Sequence, residues 1–293
     1  MRSFLFAPGD SERKLEKALT SGADAVIVDL EDSVGPDRKA VARESAAVFL
    51  QNAVRLAQRP RLIVRINSLP SGLADADLDC VVAPGPDAIL LPKAEGAASV
   101  IHLDAKLTAR EAMHGLTDGH IEIFALGTES ASALFRLGSF GDAGPRLAGL
   151  TWGAEDLSAD LGAEANRDAK GDFLEPYRLA RVLCLMGAVA ARVQPIDTVY
   201  VDFRNEAGLR REAEEARRDG FTGKMAIHPA QVSIINDVFT PTRAAVARAG
   251  AIIAAFEATP GAGVVGIDGV MYDQPHLKRA QQLLARAKAA GVT

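Results

Sequence analysis

Charged and titratable residues stand at the ends of short apolar runs along this chain. Asp29-Leu30-Glu31-Asp32 closes one run and Arg65-Ile66-Asn67 the next; Lys93, Glu129 and Glu155-Asp156 follow three more. Asp202 and Arg204 flank the end of a run expected over Thr198–Phe203, and His228 follows Lys224–Ile227. Taken singly, each reads as well as a helix cap or a solvated loop charge. Taken together they place carboxylates and cations at one mouth. Carboxylates converging from several strand ends suit Mg²⁺, which takes oxygen ligands, commonly one or two carboxylates completed by water and substrate oxygens. Glu129 and Asp156, on neighbouring strands, are the best-placed pair. Zinc fits poorly, because the histidines form neither H-x-H nor H-E-x-x-H and no Cys-x-x-Cys occurs. A guanidinium at Arg65 suits bidentate capture of a carboxylate, or else an internal salt bridge to Glu31 or Asp32. Lys93, if desolvated, is an alternative Schiff-base nucleophile.

The elements that must position these groups alternate regularly. Strands are expected at Phe4–Ala7, Ala25–Leu30, Leu62–Asn67, Ala88–Pro92, Ile121–Leu126, Leu147–Trp152, Thr198–Phe203 and Lys224–Ile227. Between them lie amphipathic helical stretches: Ser11–Ser21 with Asp10 as its cap, Asp37–Ala57, Glu95–His114, Ser130–Leu137, Glu175–Val193 and Asn205–Asp219. Gln231–Ala258 continues the series, with Pro241 expected to divide it. Near-continuous apolar strands separated by helices predict a parallel sheet covered on both faces. Eight units fit a closed (β/α)₈ TIM barrel better than an open doubly wound sheet. The barrel domain is expected over residues 1–259. Residues 260–293 form a C-terminal extension: a glycine hinge at Pro260-Gly261-Ala262-Gly263, the stretch Val264–Asp273, and a last helix at Gln274–Ala290 that packs as a tail or closes as a lid. Ser68–Pro86, with Asp75, Asp77 and Asp79, has no clear periodicity.

Composition removes whole classes. The 293 residues carry 33 Lys+Arg against 38 Asp+Glu, a net charge of −5, with no basic stripe, so nucleic acid is not an expected partner. The longest apolar run, Val182 to Ala191, is too short to span a bilayer and reads as a buried helix. The first residues have no signal-peptide pattern, so the expected compartment is the cytoplasm, with Cys80 and Cys184 reduced. Gly261-Ala262-Gly263-Val264-Val265-Gly266 matches G-x-G-x-x-G, but a helix rather than a strand precedes it, so it is no dinucleotide site. The run Arg210–Arg218 reads as a solvated helix face, with Arg210 and Arg218 four residues either side of Glu214.

Six ordered motifs carry a family resemblance over essentially the whole chain. Arg2-Ser3-Phe4-Leu5-Phe6-Ala7-Pro8-Gly9-Asp10, Val28-Asp29-Leu30-Glu31-Asp32-Ser33-Val34, Val64-Arg65-Ile66-Asn67, Gly127-Thr128-Glu129-Ser130, Gly153-Ala154-Glu155-Asp156-Leu157 and Lys224-Met225-Ala226-Ile227-His228-Pro229 resemble the citrate lyase β-chain-like proteins. That group includes malyl-CoA and citramalyl-CoA lyases, within the wider HpcH/HpaI aldolase superfamily. Met271-Tyr272-Asp273-Gln274-Pro275 looks like the group's tail element. The resemblance implies a Mg²⁺-dependent carbon–carbon lyase that acts on a 3-hydroxy-dicarboxyl acyl-CoA thioester such as citramalyl-CoA or malyl-CoA. It implies Glu129 and Asp156 as metal ligands, Arg65 and Glu129 as substrate contacts, and Asp273 as an acid/base supplied by a neighbouring subunit of a homotrimer or hexamer. Asp268 is a rival for that last role. It also implies coenzyme A binding, for which Arg13 and Lys17 on the first helix are the expected phosphate contacts. The β subunit of a multi-subunit citrate lyase, a thioesterase and a malate-synthase-like activity are alternatives on the same scaffold.

Overall fold

The computed structural model describes residues 1–292. In chain order the elements are β1 (Ser3–Pro8), α1 (Glu12–Leu19), β2 (Ala25–Asp29), α2 (Lys39–Ala53), β3 (Arg61–Arg65), α3 (Ala74–Val81), β4 (Ala88–Leu91), α4 (Ala97–His114), β5 (Glu122–Leu126), α5 (Ala131–Leu134), β6 (Leu147–Thr151), α6 (Glu155–Leu161), α7 (Glu175–Ala190), β7 (Gln194–Asp197), α8 (Glu206–Asp219), β8 (Gly223–Ala226), α9 (Ala230–Phe239), α10 (Arg243–Glu257), β9 (Val264–Ile267), β10 (Val270–Asp273) and α11 (Gln274–Ala289). β1 to β8 pair in sequence order, all parallel, and β1 pairs with β8 to close the barrel.

Strand alternation builds two cores. Phe4, Ala25, Ile27, Ile63, Leu90, Phe124, Ile196 and Met225 point inward and fill the barrel, with Phe4 edge-on to Phe124. Val26, Val28, Leu62, Val64 and Leu91 point outward and meet Leu15, Leu50, Leu78, Leu103 and Leu107 of the surrounding helices. The same alternation continues to the strand ends: two residues beyond inward Ile27 comes Asp29, and two beyond Ile63 comes Arg65. These two are register partners on β2 and β3, so their side chains stand side by side in the upper layer.

Three sequence expectations change. The seventh strand is Gln194–Asp197 rather than Thr198–Phe203. Pro195 argued against a strand there, yet its carbonyl still accepts from Thr222 N–H at 3.1 Å. Asp202 and Arg204 therefore sit in an exposed loop, and the acid at that strand end is the buried Asp197. Ser68–Pro86 contains α3, whose Asp77 turns inward to accept from Arg43 at 2.7 Å and from the Asn67 amide groups at 2.7 Å. α7 is buried on one face only, for Leu179, Val182, Met186 and Val189 are exposed on the other. Two smaller expectations also shift: Asp10 faces Arg38 at 3.3 Å and Ser11 occupies the cap position of α1, while Arg210 pairs with Asp237 at 2.7 Å and not with Glu214.

Pro241 divides the last long helical region, as expected. α10 then leaves the barrel and packs with the hairpin β9–β10 and α11 around Ala249, Ile252, Phe256, Val265 and Ala280. Neither barrel core contains a residue from this arm. The separate core thus begins at α10, upstream of the Pro260 hinge. Asp268 and Gly269 turn the hairpin with φ of 52° and 76°, the positive values that a two-residue type I′ turn requires. The G-x-G-x-x-G match is consumed by this hairpin and the bend before it. Among the described residues no helix is long and apolar enough to cross a membrane.

Candidate active site

Asp29 and Arg65 form a bidentate pair. Arg65 Nε donates to Asp29 Oδ1 and Nη2 to Oδ2, each at 2.7 Å. Burial pushes the Asp29 carboxyl up, but Arg65's hydrogen bonds and charge outweigh it and hold the group below the usual range. The backbone N–H groups of Glu31 and Ser33 also donate to Asp29, at 2.9 and 3.1 Å. The remaining nitrogen, Arg65 Nη1, faces Glu31 at 3.1 Å and Asp32 at 3.4 Å. The salt-bridge alternative for Arg65 is therefore realised, with Asp29 as the main partner. The guanidinium also lies 4.8 Å from the centre of the Phe6 ring.

Glu129 and Asp156 come to the same mouth from adjacent strands. Thr128 Oγ1 accepts from Gly153 N–H at 3.0 Å, tying the turn after β5 to the turn after β6. Asp156 lies in the first turn of α6, where the unpaired N–H groups favour an anion. Glu129 is 5% exposed, and its only protein donor among the described residues is Lys93 N–H. Lys93 makes that bond from a left-handed backbone, φ 50°, a strain of about 1–3 kcal/mol that surrounding structure must hold. Burial pushes the Glu129 carboxyl well above the usual range; the Lys93 N–H opposes this, and the like charges of Glu31 and Asp156 add to it. Burial raises Glu31 as well. Lys93 Nζ reaches Glu31 at 2.7 Å and Asp156 at 3.5 Å. Burial lowers its pKa, but Glu31's hydrogen bond and charge prevail, so the group stays above its ordinary value and is an ammonium near neutrality. That shift runs opposite to the lowered pKa that activates a Schiff-base lysine.

Glu129 and Asp156 both line two cavities. One, of about 640 Å³, runs past Lys93, Ser99, His102 and Arg136. The other, of about 130 Å³, runs past Phe6, Arg65, Trp152, Arg167 and Phe173. A third, of about 360 Å³, lies on the other side of Phe6 and is lined by Arg13, Lys14, Lys17 and His228. The structure thus gathers Arg65, Glu129 and Asp156, and sets Arg13 and Lys17 next door. It does not bring Asp273 to this mouth: Asp273 caps α11, bonded to His276 and the His276 N–H. Further along, α11 borders a cavity whose other wall is Met1, Arg2, Gln194 and Thr222, at the opposite end of the barrel. Asp268 pairs with Arg248 on the arm. Sequence reasoning set Asp29 at the mouth without a role of its own and did not find Arg167. Asp29 was visible as the register neighbour of Arg65; Arg167 lies in an insertion with no periodic signal.

The family model described as HpcH/HpaI aldolase/citrate lyase matches residues 2–229, and a second, described as a carbon–carbon bond lyase of the TIM-barrel fold, matches residues 177–292. The chain belongs to the HpcH/HpaI aldolase/citrate lyase family. This membership makes the protein a carbon–carbon lyase. It is 38% identical over 294 residues to a (3S)-malyl-CoA thioesterase of Cereibacter sphaeroides, covering 98% of this chain and 95% of that one. It is 35% identical to the citrate lyase β subunit of Escherichia coli, covering 99% and 94%. A CitE protein from Mycobacterium tuberculosis, crystallised with magnesium, acetoacetate and coenzyme A, superposes with a TM-score of 0.78 at 30% identity, with 98% of both chains covered.

Proposed function

We propose that this family member cleaves, or forms, a 3-hydroxy-dicarboxyl acyl-CoA thioester such as citramalyl-CoA or malyl-CoA, giving a 2-oxo acid and acetyl-CoA. One observation supports it above the rest: the Glu129–Asp156 carboxylates open onto the same small cavity as Arg65. The donor set fits Mg²⁺. It offers oxygens only, one carboxylate is buried with a single protein donor, and among the described residues no third His, Cys, Asp or Glu completes a protein cage. Glu129 and Asp156 would hold the ion, which when bound lowers the pKa of a ligated hydroxyl and polarises the forming carbonyl.

The chain's own residues supply the rest. Arg65, locked by Asp29, lines the small cavity, where a substrate carboxylate would take Nη1 over from Glu31 and Asp32 and so be fixed in register. Arg13 and Lys17 meet the phosphates of coenzyme A across Phe6. A carboxylate accepts the 3-hydroxyl proton. The oxygen's electron pair becomes the carbonyl of the 2-oxo acid, the carbon–carbon bond breaks, and its electrons pass to the acetyl unit as a thioester enolate that then takes up a proton. We assign the acid/base role to Asp273 acting on a neighbouring copy in a homotrimer or hexamer. Support comes from the arm's separate core, from exposed Val264, Val270 and Met271 beside Asp273, and from the hydrogen bond of His276, which holds the Asp273 carboxyl below the usual range and hence ionised.

The 38% identity to a thioesterase favours a second reading, hydrolysis of the thioester on the same site. Incubation of malyl-CoA and citramalyl-CoA with Mg²⁺, with and without EDTA, separates the two. The lyase releases acetyl-CoA and a 2-oxo acid in equal amounts; the hydrolase releases free CoA. EDTA-resistant cleavage would refute the metal assignment.

A further inference from the structure

Lys224 is fully buried on the outer side of β8, where a lone ammonium is strongly disfavoured. Its Nζ donates to Asp197 at 2.6 Å and to Glu212 of α8 at 2.8 Å. From Asp197 the connection runs to Trp152, whose indole N–H donates to it at 2.8 Å. Phe173 lies edge-on to Trp152 with centroids 5.0 Å apart. Arg167 covers Phe173, its guanidinium carbon 3.5 Å from the ring centre, and returns to Glu212 at 2.8 Å. The circuit is closed: Lys224, Asp197, Trp152, Phe173, Arg167, Glu212. Arg181 adds a further contact to Asp197 at 3.3 Å and is itself held by Asp219 at 2.7 Å, so three cations meet three carboxylates.

Three members of this circuit, Trp152, Phe173 and Arg167, are also a wall of the small cavity that Arg65, Glu129 and Asp156 share. Arg167 and Phe173 come from the segment between α6 and α7, outside both helices. They are paired by one isolated bridge, and Arg167 additionally donates to Gly171 C=O at 2.7 Å. Such a segment has little core of its own to hold it. We infer that Lys224 is a positioning residue of the reaction site: through Glu212 and Arg167 it fixes the wall against which the 2-oxo acid portion of the substrate is held. This rests on the lyase reading for the identity of the ligand, but the wall itself is a property of the chain.

Trp152 is the single tryptophan and is 1% exposed, so its emission reports the wall without turnover. Lys224→Met leaves Asp197 to Arg181 alone and Glu212 to Arg167 alone, removes the fully buried cation between them, and can fail to fold. Arg167→Met and Glu212→Gln break the same circuit from its solvent side. In both, acrylamide quenching of Trp152 is expected to rise at least about twofold as the wall opens locally. The dissociation constant for oxaloacetate in saturating Mg²⁺ is expected to rise about tenfold, or ~1.4 kcal/mol, with Mn²⁺ affinity unchanged. In turnover assays KM takes the loss and kcat stays near wild type. Either quenching or oxaloacetate affinity remaining at the wild-type value, with only the melting temperature lowered, overturns the inference. A wild-type protein that binds oxaloacetate yet cleaves no acyl-CoA would sink the lyase reading and leave this one standing.

Discussion

Arg65→Lys is the substitution that tests the site most sharply, because charge is kept and geometry is lost. Arg65 spends Nε and Nη2 on the two oxygens of Asp29, both at 2.7 Å, and turns Nη1 to Glu31 and Asp32, at 3.1 and 3.4 Å, beside the cavity it lines. A lysine ammonium can reach one Asp29 oxygen or the cavity, not both. Losing one charge-assisted bond in this buried setting costs about 1.5–3 kcal/mol. For a chain of this size that lowers the melting temperature by roughly 3–12 °C, at about 2–4 °C per kcal/mol. The catalytic loss should be larger. A substrate carboxylate misplaced by about 1 Å costs on the order of 10² in rate. Scanning fluorimetry and an acetyl-CoA release assay measure the two effects side by side. Arg65→Met serves as the harsher reference, since it leaves Asp29 buried without a counter-charge, at about 3–5 kcal/mol. If Arg65→Lys keeps both the wild-type melting point and kcat/KM, the fixed guanidinium does not orient the substrate and the argument fails.

The arm offers a complementation test: Asp273→Ala and Glu129→Gln homo-oligomers, each inactive, should regain part of the wild-type rate when denatured together and refolded as a mixture, whereas no recovery places Asp273 outside the chemistry of a neighbouring site. Acid should weaken the fold through its arginine-paired aspartates. Asp24, Asp29 and Asp87 are each desolvated yet held low by Arg2, Arg65 and Arg59, so their contribution is present above the unfolded value of about 3.9 and is lost as pH falls through the lower folded values. Urea midpoints should accordingly drop below pH 4, and a midpoint that is flat from pH 5 to pH 3 contradicts the pairing. Gly149→Ala puts a methyl 2.6 Å from the Phe124 ring inside the barrel, and overpacking of this kind costs about 1–3 kcal/mol, measurable by chemical denaturation with little change in metal affinity.

The sequence disclosed the barrel because its strands are short, apolar runs at regular intervals, and because residues two apart share a face. That same rule carries Arg65 and Asp29 to the mouth, and their shared register makes them partners. The seventh strand was hidden by Pro195 and by the more apolar stretch that follows it. Its misplacement put Asp202 and Arg204 at the site and concealed Asp197, a buried acid whose partners are Trp152 just past β6, Arg181 of α7 and Lys224 of β8. Helix α3 was hidden for a different reason: Asp75, Asp77 and Asp79 at alternate positions mimic a solvated loop, and only tertiary contact shows that Asp77 faces Arg43 while the others face Lys106 and Arg110. Lys224 and Glu212 gave no warning either, since a lysine in a strand and a glutamate in a charged helix look solvated until the two elements are packed together.

The arm's small core has a kinetic meaning of its own. Five buried side chains across two helices and one strand are too few to hold such a piece together by themselves, as single cores below about 70–80 residues seldom supply more than about 3–5 kcal/mol. α10, the hairpin and α11 should therefore behave as a low-stability foldon, exchanging its amide hydrogens well before the eight-stranded ring does. Whatever surface that piece docks on sets how often it is whole, and the fraction of time it is whole multiplies any rate that depends on Asp273. On the acid/base role proposed for Asp273, catalytic output is then rationed by the assembly of a segment that takes no part in forming the Glu129–Asp156 mouth.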